Sequence, residues 1–124
     1  MNILVVDDEP VVGRSLDVAL SSAGHAVTVI ATPRVLEATF EGRTFDAAFV
    51  DFVMPALDGD VVTRWIRLNH PDTTVVAMSG LCDDETADRM KRNGAAAFLP
   101  KPFTRAEVLD VLRRLTRSEP RGEA

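Results

Sequence analysis

Several things are scarce in this chain, and each scarcity excludes something. Among its 124 residues there is one cysteine, Cys82, so no disulfide can close within it, which fits a reducing compartment. No apolar stretch approaches the roughly 20 residues that a membrane span needs. The N-terminal run Ile3-Leu4-Val5-Val6 is short and has no basic flank, so it is not a signal peptide. Basic residues are outnumbered, and the net charge of −5 argues against a direct nucleic-acid surface. No segment repeats. The only low-complexity candidate is the polar tail Ser118 to Ala124, a frayed end or the stub of a linker. Glycine is missing where a nucleotide phosphate would need it: the first candidate βα loop reads Asp7-Asp8-Glu9-Pro10, which repels a bare phosphate. These absences leave a cytoplasmic protein with no membrane partner and one domain, residues 1–117, followed by the tail at 118–124.

What is present builds an α/β domain. Hydrophobic residues make up 46% and charged residues 27%, enough for a folded core at this length. Ile3–Val6, Ala26–Ile30, Phe45–Val50, Thr74–Met78 and Ala95–Leu99 are short apolar runs of the kind buried on both faces of a parallel sheet. Between them lie helical patterns. Pro10 opens the first, with Val12, Leu16, Ala19, Leu20 and Ala23 in phase and Gly24 as its stop. Thr32-Pro33 opens the second, which runs to about Phe40 before Gly42. Asp58 or Gly59 opens the third, with Val61, Val62, Trp65, Ile66 and Leu68 apolar, and Asn69, His70 and Pro71 close it. In the fourth, Asp83-Asp84-Glu85 lead and Arg89, Lys91 and Arg92 trail, complementing the helix dipole. The fifth starts at a capping box, Thr104-Arg105-Ala106-Glu107, and carries Val108, Leu109, Val111, Leu112 and Leu115. Strict alternation of five strands with five helices predicts a doubly wound parallel sheet.

The chain is organised around Phe49-Val50-Asp51-Phe52-Val53-Met54-Pro55-Ala56-Leu57-Asp58-Gly59. Here a buried strand ends in a carboxylate and a loop. Chemistry in such sheets sits outside the carboxyl ends of the strands. Asp7-Asp8, Ser79 and Lys101 follow other strands and are expected to converge on Asp51. Carboxylates gathered at one edge raise one another's pKa unless a cation neutralises them. A hard divalent ion such as Mg²⁺ takes oxygen ligands and is commonly held by one or two carboxylates plus a phosphate.

The ordered set Asp7-Asp8, Asp51 with Met54-Pro55 and Gly59, Ser79-Gly80 and Lys101-Pro102-Phe103 resembles the receiver domain of bacterial response regulators, over essentially the whole chain. The resemblance implies the flavodoxin-like strand order 2-1-3-4-5. It implies that Asp51 is the phosphoacceptor. Asp8, Asp51 and the backbone carbonyl of Val53 would bind Mg²⁺ or Mn²⁺, with Asp7 helping. Lys101 would pair with the phosphoryl oxygens through a chain that turns at a cis Lys101–Pro102 bond, and Ser79 would hydrogen-bond the phosphoryl group. The implied partners are a histidine kinase or a histidine phosphotransfer protein, and an output partner that no residue identifies. The implied switch runs from Ser79 to Phe98 and changes the face of helix 4, strand 5 and helix 5. Two residues depart from the commonest pattern. Ser79 stands where threonine is frequent, and Phe98 where tyrosine is frequent, so no phenol is available there.

Two other functions fit parts of the pattern. An aspartyl-phosphate hydrolase would want an acid two residues past its nucleophile, where this chain has Val53. A pseudo-receiver, a binding module without phosphotransfer, would not need the acid set and Lys101. The expectation is therefore a signalling module, not an enzyme acting on external substrates. Elsewhere, Trp65 reads as core, His25 and His70 as surface residues, and Cys82 as a small loop residue. The bland reading of Asp7-Asp8 is an N-terminal cap for the first helix, a task that Asp8 or Glu9 is expected to share. Val11 and Val18 lie off the buried stripe of that helix, either as scattered exposed residues or as part of a seat for a partner helix.

Overall fold

The computed structural model of the chain describes residues 1–53, 59–81 and 83–118, with side chains through 115. Met54, Pro55 and Asp58 of the central motif, Cys82, and the tail beyond Ser118 lie outside the described residues. Five strands, β1 (Asn2–Val6), β2 (Ala26–Ile30), β3 (Ala47–Asp51), β4 (Thr74–Ser79) and β5 (Ala97–Pro100), form one parallel sheet in the order β2-β1-β3-β4-β5. The helices are α1 (Pro10–Ser21), α2 (Leu36–Phe40), α3 (Gly59–Asn69), α4 (Asp84–Arg92) and α5 (Arg105–Ser118). This is the doubly wound architecture that the alternation predicts, in the flavodoxin-like strand order that the resemblance implies.

Period-two alternation sends successive strand residues to opposite faces. Ile3, Val5, Phe49, Val76 and Met78 pack against Leu16 and Leu20 of α1 and Val108, Val111 and Leu112 of α5. Leu4, Val6, Val50, Val75 and Ala77 pack against Phe40 of α2, Val62 and Ile66 of α3 and Met90 of α4. With both faces covered, only the strand ends are available for polar groups.

Local chemistry moves several boundaries. The second helix begins as a 3₁₀ turn, Pro33–Val35, because Thr32 Oγ1 accepts from Arg34 N–H; regular helix starts only at Leu36. Phe45 is buried but precedes β3. Gly94, at φ +100°, turns the chain sharply enough that Ala95 N–H still bonds Met90, so β5 starts at Ala97. In α3 the buried stripe is Val62 and Ile66, whereas Leu68 is 82% exposed and Val61 is exposed too. Trp65 is half-buried against the core edge, its ring 5.6 Å from Phe40. His70 is not a free surface residue: it is half-buried and stacks on Phe40 at 4.1 Å. His25 is half-buried beside the N-terminal amine. Val11 and Val18 are exposed on α1. Among the described residues no helix is long and apolar enough to cross a membrane.

Candidate functional site

Four adjacent strands end at one crevice. Asp7 follows β1 and is buried, its N–H bonding Ile30 carbonyl so that it prolongs the strand. Its Oδ1 accepts from Glu9 N–H at 2.9 Å. Asp7 therefore shapes the entry to α1. Glu9 does occupy the N-cap position but makes no side-chain cap bond. Its carboxylate instead reaches Lys101, a partner that sequence proximity could not reveal.

Asp51 is the last residue of β3, 2% exposed. Its Oδ1 accepts from Val53 N–H at 3.0 Å, and its Oδ2 lies 3.3 Å from Lys101 Nζ. Lys101 follows β5, with its side chain 14% exposed and a cis peptide bond to Pro102. Its ammonium is 2.9 Å from Asp7 Oδ2 and 2.9 Å from Glu9 Oε1. The Lys101 N–H bonds Ser79 carbonyl at 2.8 Å, which ties the lysine to the end of β4. Ser79 is fully buried, and its Oγ accepts from Leu81 N–H at 2.9 Å. That bond uses an oxygen lone pair and leaves the hydroxyl proton free to donate.

Gly59, at the start of α3, makes this packing possible. A Cβ there would sit 2.6 Å from the Asp51 carbonyl oxygen and 2.6 Å from Phe52 Cα, so no larger residue fits without moving the backbone that carries Asp51.

The electrostatics are unbalanced. Asp7, Glu9 and Asp51 surround the Lys101 ammonium, and Asp8 adds a fourth carboxylate nearby. Burial pushes the Asp51 carboxyl above its ordinary 3.8; the Val53 N–H opposes this, the Asp7 charge adds to it, and Lys101 opposes it. Burial alone would lower the Lys101 pKa, but its contacts with Glu9 and Asp7 and the charges of Asp7 and Asp51 outweigh that and hold it above the ordinary lysine range. One oxygen of each of Asp7, Asp8 and Asp51 falls within 4.8 Å of the others. Asp7 Oδ2 is buried and, although 2.9 Å from the ammonium, makes no well-angled hydrogen bond. An all-oxygen donor set with an under-satisfied buried carboxylate suits a hard divalent cation such as Mg²⁺ or Mn²⁺.

Thus Asp7, Asp8, Asp51, Ser79 and Lys101 gather at the carboxyl edge of the sheet, with Val53 beside them and 54% exposed. Phe98 is one layer away: it pairs in register with Ala77 and lies half-buried against the α2–α4 core. Sequence reading gave Arg89 only a helix-dipole role. Folded, its Nη2 donates to Phe52 carbonyl, next to Asp51, at 3.3 Å.

Residues 3–113 match the family described as the response regulator receiver domain. The chain is 33% identical over 120 residues to the transcriptional regulatory protein QseB of Haemophilus influenzae, covering 94% of this chain and 53% of that protein. It is 34% identical over 122 residues to the transcriptional regulatory protein TcrA of Mycobacterium tuberculosis, covering 97% and 47%. It spans about half the length of these curated relatives. Among solved structures, the chemotaxis protein CheY4 of Vibrio cholerae superposes with a TM-score of 0.86 at 26% identity, over 91% of this chain and 96% of that one.

Proposed function

The chain belongs to the response regulator receiver domain family, a family of signalling modules of two-component systems, and on that premise we propose that Asp51 accepts a phosphoryl group from the phosphohistidine of a histidine kinase or a histidine phosphotransfer protein. The observation that carries this reading is the single ammonium of Lys101 held among Asp7, Glu9 and Asp51, at the edge where Asp8 also lies.

In the reaction, an Asp51 carboxylate oxygen forms the new P–O bond in line with the breaking P–N bond, and the imidazole leaves with that electron pair. The Val53 N–H and Lys101 favour the ionised, nucleophilic form of Asp51 against burial. Lys101 then shifts from its resting carboxylates toward the transferred oxygens. Asp8, Asp51 and the Val53 carbonyl would hold Mg²⁺ or Mn²⁺, with Asp7 assisting; the bound ion supplies positive charge that offsets the acids and the incoming phosphoryl group. Ser79 donates its free hydroxyl proton to a phosphoryl oxygen. That pull moves the loop after β4, and the Phe98 ring packs further inward, a burial worth about 1–2 kcal/mol. The face formed by α4, β5 and α5 then changes shape for an output partner of unidentified chemistry. Residues 1–117 constitute this unit, with 118–124 as tail or linker stub. It works in the cytoplasm, acts on no external substrate, and contacts neither nucleic acid nor membrane directly.

The test is Mg²⁺-dependent labelling by acetyl phosphate and by a phosphorylated histidine kinase. One label per chain, on Asp51, is expected. Label on Asp7, Asp8 or a histidine overturns the assignment. Turnover of many phosphomonoesters would mark a hydrolase, and no labelling a binding module. Ser79→Ala is expected to be labelled still, while amide shifts around Phe98 and α4 on adding beryllofluoride shrink. A full response there would remove Ser79 from the switch.

A further inference from the structure

We infer that Arg89 of α4 is a positioning residue for Asp51, acting through the one peptide unit that joins Phe52 to Val53. The inference deepens the phosphoacceptor reading and rests on it. Both polar ends of that peptide are engaged. Its carbonyl, on Phe52, accepts from Arg89 Nη2 at 3.3 Å; its N–H, on Val53, donates to Asp51 Oδ1 at 3.0 Å. A peptide unit is planar and stiff, so fixing the direction of the carbonyl fixes the direction of the N–H. Hydrogen bonds in such a chain also polarise one another, so a guanidinium at one end strengthens the N–H···carboxylate bond at the other. With Oδ1 held by Val53, Oδ2 faces Lys101.

Arg89 is itself placed with care. Its guanidinium lies over the Phe52 ring, 5.5 Å from the centroid, and its Nε is 3.1 Å from Asp60 Oδ1 of α3. Asp60 Oδ2 accepts from Asn93 Nδ2 at 3.2 Å, and Asn93 Oδ1 accepts from Arg64 Nη1 at 2.6 Å. Asp60 Oδ1 and Arg89 Nε are buried and face each other without a well-angled hydrogen bond. The pair therefore does not sit in its own best geometry; its position is a compromise that also serves the Phe52 carbonyl and ring. A lysine could reach the carbonyl or Asp60, but its single ammonium lacks the fork that serves both. If Arg89 merely fastened α4 to α3, the Asp60 pair alone would suffice.

The experiment follows the Val53 amide by NMR in the full chain without metal, where neither phosphate nor Mg²⁺ enters the readout. Arg89→Ala is expected to shift the Val53 amide proton upfield and to speed its exchange roughly fivefold, the size of one lost hydrogen bond. Arg89→Lys should recover part of that, and Asp60→Asn should move it in the same direction by less. Labelling of Asp51 by acetyl phosphate should slow in the same order. The inference is overturned if the Val53 amide in Arg89→Ala matches wild type, or if it changes only as much as the α4 amides do. Should Arg89→Ala fail to fold, Arg89→Lys and Asp60→Asn carry the same test: an unmoved Val53 amide in both overturns the inference. Absence of labelling in the wild type would instead refute the phosphoacceptor reading, while the amide response would still decide the Arg89 linkage.

Discussion

The two ends of the sheet use the same residue types for opposite purposes. At the amino end, Asp46 is exposed; its Oδ2 accepts from Asn2 N–H at 2.7 Å and its backbone bonds both Asn2 and Thr74. Buried Thr73 donates to the Phe45 carbonyl at 2.7 Å. There each polar group meets a neutral backbone partner, and an aspartate serves as a register pin in water. At the carboxyl end, Asp7 and Asp51 are buried, and three carboxylates, those of Asp7, Glu9 and Asp51, share one ammonium with Asp8 close by. An acid before a strand supports the fold at little cost. An acid after a strand, desolvated beside others, opposes the fold until a cation arrives. Position along the strand, more than residue identity, separates scaffold from chemistry.

The largest expected contrast comes from removing one acid at each end. Asp51→Asn should abolish labelling by acetyl phosphate, whereas Asp46→Ala should leave labelling intact and cost about 1 kcal/mol in urea unfolding. Acid sharpens the contrast. Because burial raises the folded pKa of Asp51 above its unfolded 3.8, the stability it contributes is complete below that value and is lost as pH rises through the folded pKa. Without metal, Asp51→Asn should therefore exceed wild type in stability by most at neutral pH, and the gap should narrow as pH falls toward 3.8. A gap that widens on acidification would contradict this account of the carboxyl end.

Next in size is the metal. Mg²⁺ at a hundredfold excess over its dissociation constant should stabilise the wild type by about 2.7 kcal/mol. Asp8→Ala should lose most of that gain while its metal-free form unfolds at slightly higher urea. A less stable metal-free variant with unchanged Mg²⁺ affinity would reduce Asp8 to a structural acid. Glycines at the two ends then separate shape from conformation. Gly59→Ala should cost about 1–3 kcal/mol by overpacking and slow labelling, since it displaces the backbone of Asp51. Gly24, at φ +96° with open space around it, should cost about 1–2 kcal/mol on substitution by alanine and leave labelling alone. Equal labelling rates in the two variants would mean that the close approach at Gly59 does not govern the site. The smallest effect belongs to Val53, whose exposed side chain cannot orient a water beside Asp51. Val53→Asn should shorten the phosphate half-life by roughly fivefold, followed by loss of label after removal of donor.

Much of this was legible in the chain itself. Short apolar runs gave all five strands, glycine and proline marked most helix ends, and the acids, serine and lysine each fell at or just past the end of a strand. What could not be read depends on who meets whom across the crevice. Glu9 and Lys101 are 92 positions apart, and nothing local distinguishes Glu9 as a partner of that lysine from Glu9 as a cap. His70 looked like a helix-terminal surface residue because its stacking partner, Phe40, comes from another helix. Arg89 completed a dipole pattern so well that its second role, on the Phe52 carbonyl, left no trace in the spacing.

That Lys101 touches both Asp7 and Asp51 has a bearing on how the protein is made. The acids come from two inner strands, and the ammonium arrives only after the edge strand β5 has paired. That pairing is the most local in the sheet: Val76 and Ala97 are 21 positions apart, against 44 for Ile3 and Ala47. A nascent chain holding only the first four strands has these acids but not the Lys101 ammonium that offsets them. On the proposed function, a chain shortened before β5 is therefore expected to take no label from acetyl phosphate.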